Sequence, residues 1–274
     1  MENLHDPKTL DNGAAFDWGR TSESYARYRD VYPEAFYRKM QALGLATPGQ
    51  QVLDLGTGTG VLPRNLAGCG ARFVGVDAAA PQIEQARRLS AEAGLDIEYR
   101  VCAAEDIDFE DDRFDAVTAC QCFHYFDTQR LMPKLHRALK DGGLLGILFM
   151  AWLPGESDIA RRSEALVLRY SPQWTGGGWQ RTLLQAPQNT EENGFRLVQN
   201  IAFDVPVAFT RESWNGRMKA CRGVEAALAP EAVARFEAEH LALLEKTAPE
   251  AFTVPHQALM LVLQNGKAAT AAGR

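Results

Sequence analysis

From residue 50 onward, short and almost wholly apolar runs alternate with stretches whose apolar positions recur every three or four residues. Runs of this length that are apolar throughout read as strands buried on both faces, and the periodic stretches read as the helices that cover them. QVLDL (51–55) is the first strand. Glycines follow it, then a helix over 61–67 in which Pro63 falls in the first turn, where its missing N–H is harmless. ARFVGVD (71–77) is the second strand; Pro81 opens the next helix, Ile83, Ala86 and Leu89 share one face of it, and Gly94 stops it. IEYRVC (97–102) and DAVTACQC (115–122) read as the third and fourth strands. An amphipathic helix over 128–139 runs into a turn at Asp141, Gly142 and Gly143, and GLLGILFMAW (143–152) is the fifth strand. This order predicts a doubly wound α/β sheet.

Two regions flank that core. SESYARYRDVYPEAFYRKMQALGL reads as a short helix, a break before Pro33, and a second helix ending at Gly44. After the fifth strand, 153–189 carries Arg161, Arg162, Tyr170, Trp174, three consecutive glycines and Trp179, a composition suited to covering a ligand. GFRLVQNIAFDVPVAF and VPHQALMLVLQ are strand-like, and helical SWNGRMKACRG and PEAVARFEAEHLALLEK separate them. The expected division is a helical arm or lid over 1–48, a ligand-binding core over 49–152, a cap insertion over 153–190, strands and helices completing the sheet over 191–265, and a frayed tail over 266–274.

Composition narrows the class. At 274 residues, with 46% hydrophobic and 23% charged, the chain can bury a globular core. Its net charge of −6 repels polyphosphate, so no nucleic-acid partner is expected. The longest apolar run, LLGILFMAWL, is about half of what a membrane-spanning helix needs, so no membrane partner is expected either. The start MENLHDPKTLDNG lacks the pattern of a secretory signal, which leads to a cytoplasmic expectation. An odd cysteine count of 5 favours free thiols, and Cys120 and Cys122, with no second pair and no nearby histidine pair, predict buried thiols and no metal.

The chemistry sits in VLDLGTGTG (52–60), a strand ending in a glycine loop that opens a helix. Gly56, Gly58 and Gly60 let a ligand approach bare backbone. A dinucleotide fingerprint needs a glycine where Val61 stands, and Asp54 would repel a pyrophosphate, so a dehydrogenase ranks below other readings. Asp54 would welcome a cation. A ligand with a positive amino group, an adenosine and no phosphate fits, and S-adenosylmethionine is such a ligand. Asp77, ending the second strand, can accept hydrogen bonds from both ribose hydroxyls, and Ala103, Ala104, Glu105 and Asp106 follow the third strand where an adenine edge would meet backbone.

With those residues in place, 50–150 resembles the core of class I S-adenosylmethionine-dependent methyltransferases: DLGTGTG resembles that family's first motif, Asp77 its second, AAED its adenine loop and LKDGGLLGI its lead into the fifth strand. TACQCFHYFD and YARYRDVYP are similar to the bacterial small-molecule branch that includes trans-aconitate and ubiquinone-type enzymes. The resemblance implies a Rossmann-like seven-stranded mixed sheet of order 3-2-1-4-5-7-6 with helices on both faces, and a cofactor site drawn from Tyr25, Arg29, Asp54, Gly56, Thr57, Gly58, Asp77, Ala104, Glu105, Asp106 and Cys120. The branch often carries an acidic residue where Ala103 stands, so the adenine amino group falls to Glu105, Asp106 or a backbone carbonyl.

Methyl transfer from a sulfonium is an in-line displacement that needs alignment and exclusion of water. A base is required only if the acceptor must lose a proton, and His124, just beyond the fourth strand, is the candidate; the alternative is that it packs between Phe123 and Tyr125. TACQCFHYF replaces the Asn/Asp-Pro-Pro-Tyr/Phe that amino methylation of bases uses. The expected acceptor is a small molecule under Trp152, Tyr170, Trp174 and Trp179, planar or apolar, with Arg161, Arg162, Arg169 and Arg181 leaving a carboxylate open. In the helix with Tyr25 and Tyr28, Arg29 shares Tyr25's face and is expected to meet the cofactor carboxylate while Tyr25 shields the methyl. The alternative function is a non-catalytic S-adenosylmethionine-binding regulatory protein. Neither the oligomeric state nor the attacking atom is legible.

Overall fold

The computed structural model describes residues 7–30 and 32–267. The expectations for the first six residues and for most of the tail lie outside the described residues. The arm contains α1 (Ser22–Tyr28) and α2 (Glu34–Ala42), joined across the break before Pro33. The core then runs β1 (Gln51–Leu55), α3 (Val61–Leu66), β2 (Arg72–Asp77), α4 (Ala80–Glu92), β3 (Glu98–Val101), β4 (Phe114–Cys120), α5 (Thr128–Ala138) and β5 (Leu139–Trp152). It continues through α6 (Asp158–Tyr170), β6 (Phe195–Thr210), α7 (Arg211–Lys219), α8 (Pro230–Thr247) and β7 (Ala251–Asn265).

The seven strands form one sheet of order β3-β2-β1-β4-β5-β7-β6. β1 to β5 pair in parallel, and β7 runs antiparallel to both β5 and β6. The predicted fold is the observed one. One boundary differs: the turn expected at 141–143 lies within β5, where the ladder jumps from Phe114 opposite Leu139 to Ala116 opposite Leu144 and leaves the residues between unpaired. Gly142, at φ +75°, makes the excursion possible there.

The sheet is apolar on both faces, which is why its strands read as unbroken apolar runs. On one face Val52, Ala116, Leu148 and Met260 pack with Phe36 and Met40 of α2, Leu62 and Leu66 of α3, Val167 of α6, Trp214 of α7 and Phe236 of α8. On the other face Leu53, Val76, Val117, Ile147 and Leu261 pack with Leu131, Met132 and Leu135 of α5. The carboxyl ends of β1 to β5 all open toward one edge of the sheet. There the strand order reverses between β1 and β4, the place where open α/β sheets bind ligands.

Candidate active site

The glycine loop is built from its backbone outward. Leaving β1, Gly56, Gly58 and Gly60 take φ of +56°, +56° and +74°, the left-handed region that a side chain resists. Thr57 N–H donates to the Val76 carbonyl at 2.9 Å, so the loop is tied to β2. Its hydroxyl donates to Asp54 Oδ2 at 2.7 Å, and Thr118 Oγ1 on β4 donates to Asp54 Oδ1 at 2.6 Å. Asp54 is therefore a buried strut joining three elements, and burial pushes its carboxyl up to about 6. Neither Asp54 nor Thr57 lines the cavity: their side chains are buried, 2% and 6% exposed, and bonded to each other and, for Asp54, to Thr118.

Asp77 stands at the cavity wall. Gly58 N–H donates to its Oδ2 and Ala79 N–H to its Oδ1, both at 2.9 Å. Burial raises the Asp77 pKa against the pull of these two N–H groups. A Cβ on Gly58 would meet no protein atom nearer than 3.7 Å. The loop thus presents open backbone beside a carboxylate, a cradle shaped for a ligand rather than for the protein's own side chains.

A cavity of about 440 Å³ extends from this loop. Gly56, Gly58, Asp77, Cys102, Ala103, Ala104 and Glu105 line one end; Cys120, Gln121, Cys122, His124 and Tyr125 form its middle; Phe149, Trp152, Trp174 and Trp179 wall the other end. Tyr25 and Arg29 reach in from the arm, with the Arg29 guanidinium 4.5 Å over the Tyr25 ring. Cys120 is pushed up to about 12 by burial and is a neutral thiol, not a nucleophile. His124 lies 4.1 Å from the Tyr125 ring and 5.8 Å from Phe149, centroid to centroid.

Several expected residues fall elsewhere. Asp106 turns outward to Arg130 at 2.8 Å. Tyr170 packs edge-on to Phe236 and donates to Glu239, because α6 is anchored on α8 rather than draped over the cavity. The four arginines considered for a carboxylate are in exposed ion pairs: Arg161 and Arg162 with Asp158, Arg169 with Glu239, and Arg181 with Glu156 and Asp204.

Other residues in and behind the cavity wall escaped sequence reasoning. Glu164 on α6 accepts from Trp152 Nε1 at 2.5 Å and from Gly178 N–H at 2.9 Å, which fixes the glycine stretch against the end of β5. Asp11 and Arg222 form a buried ion pair at 2.6 Å. Arg222 also donates to Tyr125 Oη at 2.9 Å and to Thr175 Oγ1 at 3.0 Å, and Thr175 N–H donates to Asp11 at 2.7 Å. This clasp joins four separate chain segments above the cavity. Arg217 on α7 and Phe16, Trp18 and Gln82 complete the wall.

Comparison with known proteins agrees with this geometry. Residues 52–143 match the model of a methyltransferase domain family. The ubiquinone biosynthesis O-methyltransferase of Brucella anthropi is 30% identical over 173 residues, 61% of this chain and 67% of that protein. Its namesake from a Chelativorans species is 33% identical over 128 residues, 46% of this chain and 51% of the relative. Among solved structures, the YcgJ protein of Bacillus subtilis is 16% identical with a TM-score of 0.53, covering 86% of this chain and 100% of its own, and shows the same fold. A sheet with this order, a glycine loop after its first strand and a carboxylate after its second define a nucleoside-binding transferase core. The chain belongs to the class I S-adenosylmethionine-dependent methyltransferases. Its cofactor is S-adenosylmethionine, and the bare loop beside Asp77 fits that group.

Proposed function

We propose that the protein methylates a planar, largely apolar small molecule held between the aromatic wall and the cofactor. The observation that carries this reading is continuity: one cavity runs from the glycine loop past Cys120 and His124 to Phe149, Trp152, Trp174 and Trp179. A non-catalytic binder would have no use for the second half. When bound, S-adenosylmethionine supplies an electrophilic methyl.

The remaining work belongs to the chain. Asp77, at the cavity wall, would accept hydrogen bonds from the ribose hydroxyls. Gly56, Gly58 and Cys120 border the methionine half, Ala104 and Glu105 the adenine, and Arg29 pairs with the cofactor carboxylate while Tyr25 covers the methyl side and excludes water. Phe149 and Trp179, stacked at 4.9 Å, offer a flat surface that fixes the acceptor plane, so catalysis comes mainly from proximity and alignment. For a hydroxyl acceptor, His124 takes the proton. The relatives are named O-methyltransferases of ubiquinone biosynthesis, which makes phenolic oxygen the first acceptor class to test.

The test is turnover of a metabolite panel with S-adenosylmethionine, scored by S-adenosylhomocysteine release. Methylation of planar acceptors is the expected result. Tight cofactor binding with no turnover on any acceptor would leave the regulatory binder as the better reading.

A further inference from the structure

Arg29 and Arg217 both line the cavity, and neither has a carboxylate within ion-pair distance among the described residues. A bound cofactor brings one carboxylate, which the proposed function assigns to Arg29. Arg217 is then left uncompensated, and it is only 5% exposed. Its guanidinium lies 4.8 Å over the Trp152 ring; among the described residues its Nη1 reaches only the weak acceptor Cys221 Sγ at 3.8 Å, and its buried Nε has no partner. The groups that bear most on its charge are Arg29, Cys221, Tyr25 and Tyr32, with His256 also nearby, and none of them is a carboxylate. Burial and the like charge of Arg29 push Arg217 down to about 10.

A buried cation with no counter-charge is costly, and a structure that keeps one at a cavity wall is poised for an anion that arrives with a ligand. The Trp152 indole holds the guanidinium plane, which favours a planar, bidentate partner such as a carboxylate. A second buried donor without a partner among the described residues, Trp179 Nε1, belongs to a side chain that lines the same cavity. Resting on the methyl-transfer reading, we propose that Arg217 binds a carboxylate of the acceptor, so that the substrates are planar acids rather than neutral planar molecules.

The experiment compares acids with their own amides. Protein saturated with S-adenosylhomocysteine is titrated with benzoate, trans-cinnamate and 2-naphthoate, and with the corresponding carboxamides, by calorimetry. At least one acid should bind roughly tenfold to a hundredfold tighter than its amide, the scale of a charge-assisted hydrogen-bonded pair. Arg217→Met should erase that preference while keeping the amide and S-adenosylhomocysteine affinities, and Arg217→Lys should retain part of it. The wild-type comparison needs no variant, so a Met variant that fails to fold still leaves the test standing. No acid preference in any pair, or a preference that survives in Arg217→Met, would overturn the proposal. So would loss of S-adenosylhomocysteine binding in a folded Arg217→Met protein, because Arg217 would then hold the cofactor. Absence of S-adenosylhomocysteine binding in the wild type would bring down the methyltransferase reading itself, a different failure.

Discussion

Two glycines of one loop should fail in opposite ways when each is replaced by alanine. At Gly58 a Cβ would meet Tyr25 at 3.7 Å and Gln82 at 3.9 Å, ordinary contact distances, so the only folding cost is a left-handed φ of +56°. That cost is about 1–2 kcal/mol, a fall in Tm of a few degrees for a domain of this size. At Gly60 the Cβ would stand 2.3 Å from Tyr99 Oη and 2.9 Å from its Cζ. Tyr99 is buried and bonded to Ser90 at 3.1 Å, so it cannot simply swing away. Overpacking of about 1–3 kcal/mol adds to the backbone strain there, for a total of about 2–5 kcal/mol. Gly58 lines the cavity and Gly60 does not. Gly58→Ala should therefore remain folded and bind S-adenosylhomocysteine roughly tenfold to a hundredfold more weakly, the same 1–3 kcal/mol now falling on the ligand. Gly60→Ala should lose more stability than affinity. Urea unfolding and calorimetry on both variants measure the two columns separately. Wild-type affinity in a folded Gly58→Ala protein would refute the idea that the cofactor rests on bare backbone at this loop.

Asp77→Ala should weaken S-adenosylmethionine binding by roughly 1.5–3 kcal/mol, the scale of hydrogen bonds to a charged group, with the fold intact by circular dichroism. If His124 is the base, His124→Asn should cut turnover on a hydroxyl acceptor by about a hundredfold or more at unchanged cofactor affinity; a loss of less than about threefold would make it a packing residue. His240 and His256 are buried and pushed down to about 4, so below the unfolded value near 6.5 the unfolded state takes up protons that the folded state refuses. Stability should be unaffected above that value and fall from pH 6.5 toward 4 by about 2 kcal/mol per histidine at pH 5, and a urea midpoint equal at pH 5 and 7 would contradict the assignment. Hydrogen exchange over 14–30 should slow on addition of S-adenosylhomocysteine; equal exchange in both states, with unaltered affinity in Arg29→Ala, would remove the lid from the mechanism.

The elements were legible because each repeats a local rule. QVLDL and ARFVGVD are buried on both faces and carry no polar alternation, so their runs marked β1 and β2 directly. Pro33 and Gly44 bracketed α2, and Gly94 closed α4. The excursion inside β5 was read as a turn outside it because Asp141, Gly142 and Gly143 have turn chemistry whether or not the chain on both sides stays in the sheet. The residues proposed for the cofactor were legible for the same reason: the glycine loop, Asp77 and 103–105 all follow strand ends, and all three line the cavity. The acceptor end was not. Arg217 sits in SWNGRMKACRG, which reads only as a polar helix, while Arg161, Arg162, Arg169 and Arg181 stood out by being clustered with tryptophans. Proximity in sequence drew attention to arginines that carboxylates on the same surface neutralise, so they form a solvated face, the other reading of such a cluster.

The roof and floor of the site are held by different forces, and this bears on how ligands enter. The floor is the sheet, sealed by apolar layers on both faces. Within the arm, α2 is sealed into the core by Phe36 and Met40, whereas the segment through α1 is held by polar ties, Arg27 to Glu212 at 2.7 Å in an exposed pair, Ser24 to Glu225 at 3.1 Å and Gln82 to the Trp18 carbonyl at 2.9 Å, together with Tyr25 edge-on to Trp18 at 6.2 Å. Exposed ion pairs contribute about 0–1 kcal/mol each, so the proposed lid motion would be confined to the α1 segment. The Asp11 and Arg222 clasp is the exception, since its ion pair is buried and its breaking would leave two charges uncompensated. It ties Asp11 to Thr175 in the segment after α6 and, through Arg222, to Tyr125 after β4, contacts in which α1 takes no part. If α1 is the lid proposed above, its lifting would uncover Tyr25, Arg29 and the neighbouring Gly58 while the clasp still holds Tyr125 and Thr175, which suits a cofactor exchanged through the arm side.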